Sequence, residues 1–195
     1  MTQPDGDQPR IENRAEQPYA GIRVAVTMAG FPAAADSTFP ALFAWLGSRG
    51  AVPSGAPFIR YHVIDMAAEL QVEFGAPVAA PVEGDGQVKH GVVPAGDYLV
   101  LRYTGPYDQL IGANAALQSY AGEHGIRFAV SDAPAGQAWA GRFEHYLTDP
   151  AAEPDAARWQ TDVAYLIADR DRPARSGARS GLVTVPGARA LTPGL

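Results

Sequence analysis

The 195-residue sequence predicts an α+β fold of duplicated βαββ units, with two helices packed on one antiparallel sheet and a ligand cleft at the pseudo-dyad. Three observations predict it. Residues 22–78 run strand, helix, strand, strand, and residues 96–168 repeat that order. Each helix has a proline near its start and a glycine at its end, Pro40 with Gly50 and Pro106 with Gly125. The strands alternate apolar and polar side chains, as antiparallel strands with one solvated face do. A seam between two matching halves is a natural place for a cleft.

In chain order, residues 1–18 are polar with scattered Pro and Gly, and read as a disordered N-terminal tail. The domain is expected over residues 19–169. Strand one, residues 22–28, sets Ile22, Val24, Val26 and Met28 on one face. A helix follows over residues 37–49, with Asp36 or Ser37 as cap, Pro40 in the first turn and Phe39, Leu42, Phe43 and Leu46 as its core stripe. Residues 57–64 form strand two, in which Ile59, Tyr61 and Val63 share a face. Residues 69–78 form strand three, with Leu70, Val72 and Phe74 inward and Glu69, Gln71 and Glu73 in water.

Residues 79–95 connect the halves, with a short strand through Val88 to Val93. Strand four covers residues 96–103. The second helix, residues 107–124, turns Leu110, Asn114, Leu117 and Ala121 inward. Residues 126–138 read as a loop, 139–150 as strand five and 160–168 as the last strand. Residues 170–195, rich in Arg, Gly and Pro without periodicity, read as a disordered C-terminal tail.

Composition excludes several chemistries. The chain has no cysteine, which removes disulfides, thiolate catalysis and zinc–thiolate sites. A formal net charge of -6 argues against attraction to phosphate backbones or anionic membranes. His62, His90, His124 and His145 are isolated and lack metal-ligand spacing such as HExxH. There is no GxSxG elbow, no GxxxxGK[ST] loop and no GxGxxG loop, so neither a cofactor nor a metal is expected. The N-terminus has no basic, then apolar, signal pattern, and no stretch reaches the roughly 18 apolar residues of a membrane helix. A cytoplasmic location is the expectation.

Chemistry concentrates in WAGRFEHYLTDP, Trp139 to Pro150. Strand alternation puts Arg142, Glu144, Tyr146 and Thr148 on one face and Phe143, His145 and Leu147 on the other. Glu144 then has two readings: a surface acid paired with Arg142, or a carboxylate among aromatics that suits a cationic or hydrogen-bonding ligand.

With both halves laid out, the chain resembles the GyrI-like small-molecule-binding family, the effector-binding domain of AraC- and MerR-type multidrug regulators. The resemblance rests on PFIRYH in strand two, VPAGDYLVLRYTGPYDQL leading into helix two, FEHYLTDP in strand five and WQTDVAYLI in the last strand. It covers roughly residues 20–168 and implies a cleft lined by aromatics with a carboxylate at its floor. Glu144 matches the family glutamate, Tyr61 an aromatic of the second strand and Trp159 an aromatic before the last strand. Tyr103, Tyr146 and Trp139 are looser ligand-binding candidates. Asp162 stands where many relatives have Glu, which weakens any role for it.

The resemblance implies two uses for such a cleft. The leading one is binding or sequestration of a hydrophobic, planar or cationic small molecule in drug or toxin response. The alternative is a hydrolase that opens the cyclopropane of DNA-alkylating natural products, with Glu144 as general base and a tyrosine, Tyr146 as the nearest candidate and Tyr103 as another, steadying the developing oxyanion. The polar residues before strand one are too few for a helix-turn-helix, so no nucleic-acid partner is expected. A protein partner is conceivable from the family's name, but no residue pattern supports one.

Overall fold

A computed structural model describes residues 8–169. Among the described residues, ten strands form one antiparallel sheet and two helices pack on its inner face. The strands are β1 (Arg10–Arg14), β2 (Gln17–Val26), β3 (Phe58–Ile64), β4 (Leu70–Pro77), β5 (Val88–Val93), β6 (Gly96–Thr104), β7 (Val130–Ala133), β8 (Gly136–Trp139), β9 (Arg142–Tyr146) and β10 (Gln160–Leu166). The helices are α1 (Phe31–Ser48) and α2 (Leu110–Glu123). Single turns of 3-10 helix at Tyr107–Gln109 and Ala156–Arg158 precede α2 and β10.

The sheet order is β1-β6-β10-β9-β3-β4-β2-β5. Reading outward from the β9–β3 seam, each half presents its second, third and first strand and then an added edge strand. That mirror order is the pseudo-dyad of two βαββ units, as the sequence pattern predicts. At the seam Ile59 of β3 stands opposite Glu144 of β9.

Inward side chains of both halves fuse into one core. Ile59, Val72, Phe74, Leu99, Leu117, Val163 and Tyr165 are all buried in it. The inward stripe of α2 is as expected: Leu110, Asn114, Leu117 and Ala121 are buried, and Gly125 stops the helix at φ 64°. On α1, Leu42 and Leu46 pack with Ile22, Ala76 and Val78.

Several expectations are corrected. Residues 10–14 and 17–18 belong to the sheet, the latter as the start of β2 and the former as β1, pairing along β6 from Arg10↔Val100 to Arg14↔Gly96. This strand is polar because it is an edge, where charge prevents further pairing. Arg10 and Arg14 each lie 2.7 Å from Glu12. Residues 1–7 and 170–195, the rest of the two expected tails, lie outside the described residues.

Helix α1 starts at Phe31, six residues ahead of the expected start, because Pro32 is tolerated in a first turn and Ala33, Ala34 and Ala35 favour helix. Ser37 is therefore interior, and its hydroxyl donates to Ala33 O at 3.0 Å instead of capping. Where a loop was expected at residues 126–138, β7 and β8 form a hairpin, and β8 extends the β3 edge through Val63↔Ala138 and Ile64↔Gln137. Gly136 permits that approach, since a Cβ there would meet Ile64 O at 2.4 Å. A bend at Ala140–Gly141 then separates β8 from β9, so Trp139 and Glu144 lie on different strands.

Glu73, expected in water, is 5% exposed. The outer face of the sheet is partly covered by its own aromatics. Tyr19, Phe58, Tyr98 and Phe143 make a second core there, with Phe58 edge-on to Tyr19 at 5.0 Å and to Phe143 at 5.4 Å.

Candidate functional site

Glu144 occupies the middle of β9, facing the helices, with Ile59 opposite on β3 and Val163 opposite on β10. Its cross-strand neighbours carry no charge, and it is 5% exposed. A carboxylate so placed is tolerated only if hydrogen bonds replace its water. Three neutral groups do so. The Tyr61 and Tyr146 hydroxyls both donate to Glu144 Oε2 at 3.0 Å, and Asn114 Nδ2 donates to Oε1 at 2.7 Å.

Each donor is positioned by the fold. Tyr61 lies two residues beyond Ile59 on β3, Tyr146 lies two beyond Glu144 on β9, and strand alternation returns both to the inner face. Asn114 sits on the buried stripe of α2, where its Nδ2 also donates to Leu110 O at 2.8 Å. Its orientation is fixed from behind, because Asn114 Oδ1 accepts from the Tyr165 hydroxyl at 2.5 Å and from Arg142 Nη2 at 3.3 Å.

Burial, reinforced by the Glu144 charge, pushes the Tyr61 and Tyr146 phenols well above their ordinary range. Both therefore stay protonated and remain donors across neutral pH. Burial also raises Tyr165, to about 12.

Arg142 shares a strand face with Glu144, but its hydrogen bond goes to Asn114. Its guanidinium carbon lies over the rings of Tyr165, Trp139 and Tyr61 at 4.7, 4.9 and 5.3 Å. Three aromatic faces hold this cation in place of a carboxylate.

Above this floor lies a cleft of about 1470 Å³ between the two helices. Phe31, Phe39 and Phe43 of α1 form one wall, with Tyr107, Leu110 and Ile111 on the other. The aromatic lining is mutually packed: Phe31 stacks on Tyr61 at 6.1 Å, Phe39 meets Tyr146 edge-on at 6.0 Å and Tyr107 meets Tyr146 at 5.0 Å. Asp36, Asp108 and Asp149 stand in the lining with Glu144, against Arg142 as the one cation among the described lining residues.

Of the residues singled out in the sequence, Glu144, Tyr61 and Tyr146 come together at the cleft floor. Trp159, Tyr103 and Trp139 stand behind the lining. Trp159 packs on Tyr107 at 4.5 Å and donates its indole N–H to Glu153 O at 2.8 Å. The Tyr103 hydroxyl turns to Pro106 O at 3.2 Å. Trp139 is buried beneath Arg142 and packs on Tyr165 at 5.2 Å. Asp162 faces the other side of the sheet, held by Arg102 Nε and Nη2 at 2.9 Å each.

Sequence reasoning missed the α1 aromatics as lining, because a helical stripe reads the same over a core as over a cleft. Asn114 did carry a signal, as the one amide in an otherwise apolar stripe. Among the described residues, no three His, Asp or Glu side chains converge as a metal ion would need, and no helix is long and apolar enough to cross a membrane.

The fold recurs in solved structures. EcmrR, seen in a cryo-EM complex with DNA, superposes with a TM-score of 0.70 at 20% identity over 82% of this chain, which spans 57% of that protein. Its C-terminal domain alone gives 0.64 at 19% identity, covering 83% of this chain and 97% of that one. A hydrolase from Listeria innocua gives 0.55 at 14% identity, covering 83% and 92%. SAV2435 bound to tetraphenylphosphonium gives 0.52 at 9% identity, covering 83% and 94%. No curated protein sequence matches. A family model matches residues 7–166, and the chain belongs to that family, the GyrI-like small molecule binding domains.

Proposed function

We propose that this domain captures a hydrophobic, planar or delocalised cation in the cleft over Glu144, sequestering or sensing it in drug or toxin response. The observation that carries this reading is the company Glu144 keeps. All three of its hydrogen-bond donors are neutral, and the nearby guanidinium is held by aromatic rings. The negative charge is solvated but not neutralised, and a cationic ligand completes it. Phe31, Phe39 and Tyr107 supply faces for such a ligand, each cation–π contact worth about 0.5–2 kcal/mol. The rim carboxylates add attraction of the same sign. The solved relative bound to tetraphenylphosphonium supports the choice of that probe. Isothermal calorimetry with tetraphenylphosphonium tests the reading: saturable 1:1 binding weakened by Glu144→Gln is expected, and absence of binding overturns it.

A second reading has one observation in its favour. Glu144 Oε1 accepts a single donor, Asn114, which leaves lone-pair capacity for the proton of a water. In a hydrolase acting on a conjugated cyclopropane, that water's oxygen would bond to a ring carbon as the ring C–C bond breaks. The electron pair would pass to the conjugated carbonyl oxygen, which Tyr146 would reach by turning its hydroxyl from Glu144 Oε2, and the proton taken up by Glu144 would return to that product, so that one water is added overall. Mass spectrometry of such an electrophile decides this reading, with a product heavier by one water supporting it and unchanged substrate excluding it.

A further inference from the structure

The outer face of the sheet carries a pocket of its own, of about 740 Å³, on the side opposite the Glu144 cleft. Its floor is Glu73 of β4. Cross-strand register sets Glu73 between Arg60 of β3 and Arg23 of β2. The same register places Lys89 of β5 against Gly21 of β2, on the same outer face. Gly21 leaves the space that the Glu73 carboxylate fills, since a Cβ there would lie 2.8 Å from Glu73 Oε1.

His62 is the extra residue of a β-bulge between Tyr61 and Val63, which redirects its ring toward Glu73. His62 Nε2 lies 2.6 Å from Glu73 Oε2, and the Tyr19 hydroxyl donates to the same oxygen at 2.8 Å. Burial opposes ionisation of Glu73, but the hydrogen bonds from His62 and Tyr19 and the Arg23 charge hold it below the usual carboxylate range. Burial outweighs Glu73 at His62 and lowers the imidazole, which stays neutral at pH 7. Arg23 Nη2 lies 2.9 Å from both ring nitrogens of His62, and with the Nε2 proton directed at the carboxylate it is Nδ1 that can accept from it. This contact holds one nitrogen of a half-exposed guanidinium and leaves its other N–H groups to the pocket.

The charges do not balance. Arg23, Arg60 and Lys89 face a single carboxylate, on a chain whose net charge is -6. Arg60 is engaged inward, by Tyr19 Oη at 3.1 Å, Val92 O at 3.0 Å and Ala140 O at 2.9 Å. Lys89 is exposed and has no hydrogen-bond or ionic partner among the described residues. The pocket thus offers a guanidinium edge and an ammonium, backed by a third fixed cation. Those donors match a tetrahedral oxyanion better than any cation or apolar group.

We propose that this outer pocket is a second ligand site, which binds a phosphate group through Arg23 and Lys89. Glu73 and His62 are its positioning residues: they hold Arg23 and do not themselves touch the anion. The site is independent of the cleft and of any function proposed for it.

The test is a titration of the full chain, followed by 31P NMR, with inorganic phosphate and separately with phenyl phosphate, against sodium chloride at equal ionic strength. Saturation by either phosphate supports the site, and the tighter of the two tells whether its ligand is the free ion or a monoester. Lys89→Gln and Arg23→Gln should each weaken binding about threefold to fivefold, the effect of one partly exposed charge. Lys89→Arg should retain it. Lys89 is exposed and unpartnered among the described residues, so Lys89→Gln should melt with the parent and leave tetraphenylphosphonium affinity unchanged, whereas Arg23→Gln also removes a charge beside buried Glu73 and is read against its own unliganded melt. A phosphate response that never saturates, or one that survives both charge-removing substitutions, overturns the proposal.

Discussion

Replacing Glu144 by Gln keeps the volume of the side chain and removes its charge, so it isolates the electrostatic part of ligand capture. A delocalised cation such as tetraphenylphosphonium brings its charge centre no closer than about 6 Å to a carboxylate on the floor. At an effective dielectric near 20, that pair is worth about 3 kcal/mol. The cleft opens to solvent above its floor, and counter-ions screen part of the interaction, leaving about 1–2 kcal/mol. The expected result is a Kd for the variant about 5-fold to 30-fold weaker than wild type. Calorimetry at low salt reads it directly. A thermal melt gives a second measure, because ligand at about 100 times Kd adds about 2.7 kcal/mol and raises the wild-type midpoint by about 5–10 °C. The unliganded melt of each protein is needed as its own baseline. In the variant, an amide NH2 can face Asn114 Nδ2, and an unsatisfied buried donor costs about 1–3 kcal/mol whatever the ligand does. An affinity that changes less than twofold would refute the reasoning, since it would mean that the Glu144 charge is not what the cation meets.

The remaining predictions concern the scaffold around that charge. Asn114→Ala removes the Glu144 Oε1 donor and strands the Tyr165 hydroxyl, and urea denaturation should show a loss of about 1–3 kcal/mol together with weaker cation binding. Leu117→Ala, at a fully buried position of α2, should cost about 2–5 kcal/mol in the same assay while leaving the cleft residues in place. Phe39→Ala removes a ring that meets Phe74 and Tyr146, and should weaken tetraphenylphosphonium binding about 3-fold to 10-fold as one aromatic contact is lost. His145 is pressed between Phe58 and Phe143 at 5.4 and 5.5 Å, and burial lowers its pKa from 6.5 to about 4. Between those values the unfolded state binds the proton that the folded state refuses, so this residue makes stability fall as pH drops through that window. Comparing wild type with His145→Gln by chemical denaturation from pH 7 to pH 4 should show a shallower decline in the variant. An identical slope would contradict the assignment.

How far the sequence discloses this molecule is best seen in its two strand carboxylates, Glu73 and Glu144. The alternation rule placed each on the correct face of its strand, and the repeat placed the strands in mirrored halves. Alternation cannot say which face of a sheet is wet, because that depends on what covers it. Alternation alone sends Glu73 to water, yet the aromatics of the outer face leave it as buried as Glu144, each 5% exposed. The edge strand β1 was unreadable for a related reason: a charged edge resembles a polar tail. The lining helix α1 was legible as a helix but not as a wall, since Phe39 and Phe43 follow the same spacing as Leu42 and Leu46.

What separates the two acids is the partner each one finds through tertiary contact. Glu73 meets His62 and Tyr19, with Arg23 at 3.9 Å, so the protein itself supplies opposite charge. Glu144 meets two phenols and an amide, while the guanidinium two residues away is drawn off by Tyr165, Trp139 and Tyr61. Burial is equal but neutralisation is not, and on the proposed reading the charge left over at Glu144 is the one a ligand completes. Moving a cation next to Glu144 should therefore be the perturbation that abolishes capture. Ile59→Lys, directly opposite Glu144 on β3, is expected to eliminate tetraphenylphosphonium binding. Ile59→Met should retain it and serve as the control for packing at that position.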